Sequence, residues 1–127
     1  MDSAAQSLNE RVVLVVDDEE VECRITARVL ADAGFHVVEA HSAAEALALL
    51  PTLNGTVQLV VSDIMMPGMT GIELAGLMAD QWPAVPVLLI SGYGGPPSPY
   101  TGAFVAKPFT WDVLLDAVGG LVPLPKH

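Results

Sequence analysis

Positive charge is scarce in this sequence. Five Lys and Arg stand against fifteen Asp and Glu, a net charge of −10 at pH 7. A surface of that sign repels nucleic acid and anionic lipid, so neither is expected as a partner. Cysteine is nearly absent as well. Cys23 stands alone, which excludes an intrachain disulfide and makes a cytoplasmic location the default expectation. No apolar run approaches the ~20 residues of a membrane span. The opening MDSAAQSLNE has neither the basic segment nor the apolar core of a signal peptide. There is no internal repeat and no candidate linker. What is plentiful is apolar residues, 52% of 127, too many for a disordered chain and a common size for one domain.

The apolar residues come in short β-branched runs. Val57–Val61 leads into Ser62-Asp63 and then a Pro-Gly turn in VQLVVSDIMMPGMTG, which reads as a strand buried on both faces. Strand interiors exclude unpaired charge, so Asp63 is either placed for chemistry at a strand's carboxyl end or is a turn aspartate that starts Ile64–Gly68. Arg11–Val16 is a second such strand and ends in Asp17-Asp18-Glu19-Glu20. Phe35–Ala40, Val85–Ser91 and Ala103–Lys107 are three more.

Helical patterns alternate with the strands. Glu20–Ala33 carries Val21, Ile25, Val29 and Leu30 at helical spacing, with Gly34 as a stop. Ser42 and Glu45 read as a capping box for a short helix ended by Pro51. Gly71–Gln81 is a third helix, broken at Trp82-Pro83. A last one starts near Thr110 and runs through Val118, with Trp111, Leu114, Leu115 and Val118 as its core face. The stretch Gly92–Gly102 has four glycines and three prolines and no helical period. Alternating strands and helices predict a doubly wound α/β domain whose five-stranded parallel sheet is covered on both faces. Residues 1–9 read as a flexible tail, 10–122 as the domain and 123–127 as a second tail.

Four polar features fall at strand ends: Asp17 and Asp18, Asp63, Ser91 and Lys107. Taken singly, an Asp-Asp pair starts a helix, a Ser-Gly makes a turn and a Lys-Pro pair lies on the surface. Together, at one end of a parallel sheet where ligands bind, they make a site. Converging carboxylates need a counter-charge, which Mg²⁺ supplies through oxygen ligands. Lys107 and Ser91 then complete a pocket for a tetrahedral dianion, and phosphoryl transfer asks little more of a protein than positioning and charge neutralisation.

In order and spacing, VVLVVDDEE, VVSDIMMPGMTGIEL, VLLISGYG and FVAKPF resemble the receiver domains of two-component response regulators, over Arg11 to about Val122. The resemblance implies a flavodoxin-like sheet of order 2-1-3-4-5. It implies that Asp63 accepts a phosphoryl group from a histidine kinase or histidine phosphotransfer protein, the domain catalysing only its own phosphorylation and dephosphorylation. Asp18, Asp63 and the Met65 backbone carbonyl would ligate Mg²⁺, with Asp17 acting through a water on the ion. Lys107 and Ser91 would contact the phosphoryl oxygens, Phe104 would be the aromatic switch partner of Ser91, and the Lys107–Pro108 peptide would be cis.

One departure stands out. The helix that the family carries between its fourth and fifth strands is replaced by the Gly/Pro-rich loop Gly92–Gly102, so dimerisation through that helix is not expected and a monomer is. Two rival readings share the chemistry. A Mg²⁺-dependent phosphohydrolase with an aspartyl nucleophile lacks its second carboxylate, since Met65 stands two residues after Asp63. A silent docking module is weakened because every acceptor-site residue is present. His36, His41 and His127 show no ligand spacing, and Cys23 reads as a small helix residue.

Overall fold

In a computed structural model the protein is described over residues 12–53, 55–92 and 102–125. The elements are β1 (Val12–Val16), α1 (Glu20–Asp32), β2 (His36–Ala40), α2 (Ala43–Thr52), β3 (Val57–Asp63), α3 (Gly71–Gln81), β4 (Val87–Ser91), β5 (Ala103–Ala106) and α4 (Trp111–Gly119). The expected tail 1–9, the strand start at Arg11 and residues 93–101 of the expected loop lie outside the described residues. All strand pairs are parallel, in the order β2-β1-β3-β4-β5, as the resemblance implied.

Strand periodicity explains the two-layer core. Successive side chains alternate faces, so β1 sends Val13 and Val15 to a layer with Cys23, Leu30, Leu114 and Val118. It sends Val12, Leu14 and Val16 to the opposite layer, with Ala46, Leu50, Leu74 and Met78. Helices α1 and α4 thus cover one face, and α2 and α3 the other. Every residue of β1 is buried, which is why its sequence does not alternate with polar residues. On β3 the alternation slips once. Val12 pairs with Val57 but Val13 pairs with Leu59, and this irregularity puts Val57 and Leu59 in opposite layers although they are two residues apart.

Helix ends follow their sequence signals with informative exceptions. Ser42 accepts a hydrogen bond from Glu45 N at 3.0 Å, yet the Glu45 carboxylate accepts from His41 N at 2.7 Å, so the expected reciprocal box is only half made. The complete box belongs to Thr70 and Glu73 at the start of α3. Pro51 sits in the last turn of α2 rather than ending it, and Leu53 N closes that turn on the Leu49 and Leu50 carbonyls. Gly34 follows α1 at φ +108°, a conformation that favours glycine. The Lys107–Pro108 peptide is cis.

Two faces depart from expectation. The buried face of α1 is Cys23, Thr26, Ala27 and Leu30, while Val21 and Ile25 are 72% and 45% exposed. The apolar positions of this helix exceed one stripe, and contact with the sheet selects the stripe carrying the smaller side chains. On α4, Leu114 and Val118 are buried, but Trp111 is exposed and stacks edge-on against Phe109 at 5.7 Å. Trp111 shares the stripe of Leu114 and Val118 but is the helix's first residue, so its exposure follows from position along the helix and not from rotation.

Gly71 fastens α3 to the end of β3. Its N–H donates to Ile64 O at 2.9 Å, and a Cβ there would collide with the Asp63 carbonyl oxygen. Gly71→Ala should therefore destabilise the protein by about 1–3 kcal/mol, the usual effect of overpacking. Gly76, in the same helix, has nothing within 4 Å of its would-be Cβ, and Gly76→Ala should stabilise by about 0.5–1 kcal/mol. Urea unfolding of the two variants checks the opposite signs.

Candidate functional site

The strand order reverses between β1 and β3, and ligands bind outside the carboxyl ends of strands at such a point. The register Val16↔Ser62 leaves the next residues, Asp17 and Asp63, side by side. Asp17, Asp18 and Asp63 offer carboxylate oxygens that all lie within 4.8 Å of one another. Asp17 is buried, and its Oδ1 accepts from Glu19 N at 2.9 Å, which holds the β1–α1 turn against the cluster.

Lys107 reaches the cluster from the far side. Register Ser91↔Ala106 and the bond from Lys107 N to Ser91 O, 2.9 Å, fix its backbone beside the end of β4. Its Nζ lies 4.0 Å from Asp63 Oδ1 and nearer, 3.3 Å, to Glu22 Oε1. Ser91 is buried at the end of β4, its hydroxyl donating to Gly92 O at 3.3 Å. Met65 lies on the loop after β3 with its side chain exposed, and Phe104 is half exposed on β5. The predicted carboxylates and Lys107 are thus brought together, with Ser91 one strand away.

Glu22 was missed in the sequence. Its signal is its place on the first turns of α1, a few residues past Asp17-Asp18, but which way that turn faces depends on how α1 packs. With Asp17, Ile25, Lys107, Phe109 and Trp111, Glu22 lines a cavity of about 390 Å³ beside the aspartates.

The electrostatics follow from burial against like charge. Burial pushes Asp17 up from its ordinary 3.8 to about 6; Asp63 and Glu22 add to this, while the Glu19 N–H and Lys107 oppose it. Burial also raises Asp63, partly offset by Lys107, with Asp18 and Glu22 raising it further. Burial works against the charge of Lys107, but Asp63 and Glu22 outweigh it and raise its pKa. An all-oxygen donor set with excess negative charge is what a hard divalent cation requires, so the cluster can hold a metal ion.

These features define a parallel α/β signalling-type domain with an acidic pocket at its switch point. The family model for the response regulator receiver domain matches residues 13–119. The chain belongs to that family, the phosphoacceptor signalling domains of two-component systems. It is 35% identical over 126 residues to the CAI-1 autoinducer sensor kinase/phosphatase CqsS of Vibrio cholerae, covering 92% of this chain and 18% of that protein. It is 35% identical over 118 residues to the transcriptional regulatory protein FixJ of Rhizobium meliloti, covering 87% and 56%. Among solved structures it resembles the receiver domain of the hybrid histidine kinase CckA at 33% identity and TM-score 0.75, covering 87% and 98%. The chain spans less than two thirds of the two curated relatives. Among the described residues no helix is long and apolar enough to cross a membrane.

The raised carboxylates carry a sign that can be measured. A folded-state pKa above the unfolded value means the folded state holds its proton more tightly. Stability is therefore lost as pH rises from about 3.8 to about 6, and above that range Asp17 disfavours folding by roughly 3 kcal/mol at most. In chelator at neutral pH, Asp17→Asn should be more stable than wild type by about 1–3 kcal/mol. That advantage should vanish below the carboxylate range, and Mg²⁺ should stabilise wild type more than the variant. Denaturant unfolding at the two pH values checks this; a wild type more stable than the variant in chelator at neutral pH would contradict it.

Proposed function

We propose that Asp63 is the phosphoacceptor of this receiver domain and that it takes its phosphoryl group from a phosphohistidine on a histidine kinase or histidine phosphotransfer protein. The observation that supports this best is the position of Asp63: at the carboxyl end of β3, among Asp17 and Asp18 and 4.0 Å from the ammonium of Lys107. In the transfer, a carboxylate oxygen of Asp63 forms the new O–P bond as the P–N bond to the donor imidazole breaks, and the imidazole leaves with its electron pair. Lys107 follows the charge from carboxylate to phosphoryl oxygens, and in doing so must loosen from Glu22. Ser91 and Phe104 are the proposed switch pair.

Asp17, Asp18, Asp63 and the Met65 carbonyl are the groups that would hold Mg²⁺, which when bound neutralises the clustered negative charge and orients the phosphoryl oxygens. The domain acts on itself and turns over no separate substrate, and it works in the cytoplasm as a monomer. The exposed Val21 and Ile25 on α1, and Trp111, which lines the cavity together with Ile25, suit a partner helix that brings its histidine to the pocket. An acidic surface with a net charge of −10 supports a protein partner over nucleic acid or lipid.

Incubation with acetyl phosphate and Mg²⁺ should add one phosphoryl group by intact mass, and Asp63→Asn should add none. An unchanged mass gain in that variant would refute the assignment. Lys107→Ala should still bind Mg²⁺ but be phosphorylated at least about tenfold more slowly, a rise of ~1.4 kcal/mol in the barrier. Wild-type kinetics in Lys107→Ala would remove Lys107 from the mechanism.

A further inference from the structure

A second set of potential ligands lies one strand away from the aspartates. Cys23 on the inner face of α1, Glu39 near the end of β2 and His41 just past it bring a sulfur, a carboxylate oxygen and an imidazole nitrogen within 4.8 Å of one another. No spacing in the sequence suggests this, because Cys23 and the Glu39/His41 pair meet only through the packing of α1 on β2.

The sulfur and the imidazole nitrogen are the weakly partnered ligand atoms. Cys23 is fully buried, and its thiol has long contacts to Val15 O at 3.8 Å and Ala40 O at 3.9 Å and meets the Glu39 carboxylate. His41 Nε2 is sealed from solvent without a hydrogen-bond partner, 3.6 Å from Glu39 Oε1. The other ring nitrogen, Nδ1, faces Glu45 Oε1 at 3.8 Å, and that oxygen is anchored by the His41 backbone N–H. The imidazole thus stands between two carboxylates, Glu39 on the side of Nε2 and Glu45 on the side of Nδ1, and carboxylates around a ring of this kind commonly support a histidine that ligates a metal. Glu39 is shared with Arg24, whose Nε donates to Oε2 at 3.1 Å and more weakly to Oε1 at 3.5 Å. Oε1 is the oxygen that also faces His41.

We propose that Cys23, Glu39 and His41 form a transition-metal site for Zn²⁺ or a similar borderline divalent cation, with Glu45 orienting the imidazole. One thiolate, one imidazole and one carboxylate make a donor set that suits Zn²⁺ and not Mg²⁺, so the site is chemically distinct from the aspartate pocket. On binding, the S–H bond gives its proton to water and a metal–sulfur bond replaces it, with no change of oxidation state. Burial, with Glu39 adding, pushes the free thiol up to about 12, so the empty site holds a proton where the loaded one holds the cation. Arg24 is exposed and can keep Oε2 or swing away.

The test uses the full chain, stripped with chelator and titrated with Co²⁺ in saturating Mg²⁺. One equivalent should produce the near-ultraviolet charge-transfer band of a cobalt thiolate, and Zn²⁺ should displace it. Cys23→Ser should abolish the band. Because Cys23 is buried, His41→Ala and Glu39→Gln form the independent arm, and each should weaken Co²⁺ binding at least tenfold while leaving the circular dichroism spectrum unchanged. Asp63→Asn should leave the band intact. No thiolate band in the wild type, or binding unaffected by both His41→Ala and Glu39→Gln, would overturn the proposal.

Discussion

Repulsion among Asp17, Asp18 and Asp63, answered by one nearby ammonium, is the constraint on which the functional end of this domain depends. Parallel pairing forces it. Once β1 and β3 lie side by side in the observed register, the residues that follow them are neighbours whatever their charge. Burial then penalises ionisation, and Asp17 and Asp63 are both raised by it. Lys107 offsets part of this, but it is shared with Glu22. The pocket is therefore electrostatically incomplete by itself, and in the proposed function a divalent cation or the charge redistribution of phosphoryl transfer would complete it. Stability is given up at this site, as is common where function concentrates like charges.

The rest of the fold makes that arrangement rigid. A strand buried on both faces cannot shift register without moving its apolar residues to the wrong layer, so β1 and β3 hold their terminal carboxylates firmly. Helix α3 adds a second restraint, because the close approach of Gly71 to the Asp63 carbonyl leaves the acceptor strand no room to move toward it. The box formed by Thr70 and Glu73 fixes the start of that helix and hence the loop carrying Met65.

Helix α1 serves two sides at once. Its inner stripe, Cys23, Thr26, Ala27 and Leu30, is small enough to lie close to β1 and β2, which brings the thiol beside Glu39 and His41. Its outer stripe presents Val21 and Ile25 to solvent next to the acidic cavity. In the proposed function these exposed apolar side chains are the surface that meets the partner. A single helix thus links the proposed acceptor site, the proposed docking face and the proposed transition-metal site.

Much of this was legible before any coordinates. β-Branched runs and 3.6-residue periodicity are local properties, so nine described elements fall where such patterns lie, within two residues at their ends. The polar residues at strand ends were legible for the same reason, since an apolar run makes a terminal Asp or Lys conspicuous; the strand order came from family resemblance and not from periodicity. Tertiary structure alone decided which stripe of α1 faces inward, that Trp111 stays outside the core, that Glu22 competes for Lys107, and that Cys23 meets Glu39 and His41. For the three that involve α1 the physical reason is common. A helix with apolar residues on more than one face can pack in several rotations, and only contact with a particular sheet selects one. Which charged and nucleophilic side chains then meet, many residues apart in the chain, follows from that choice.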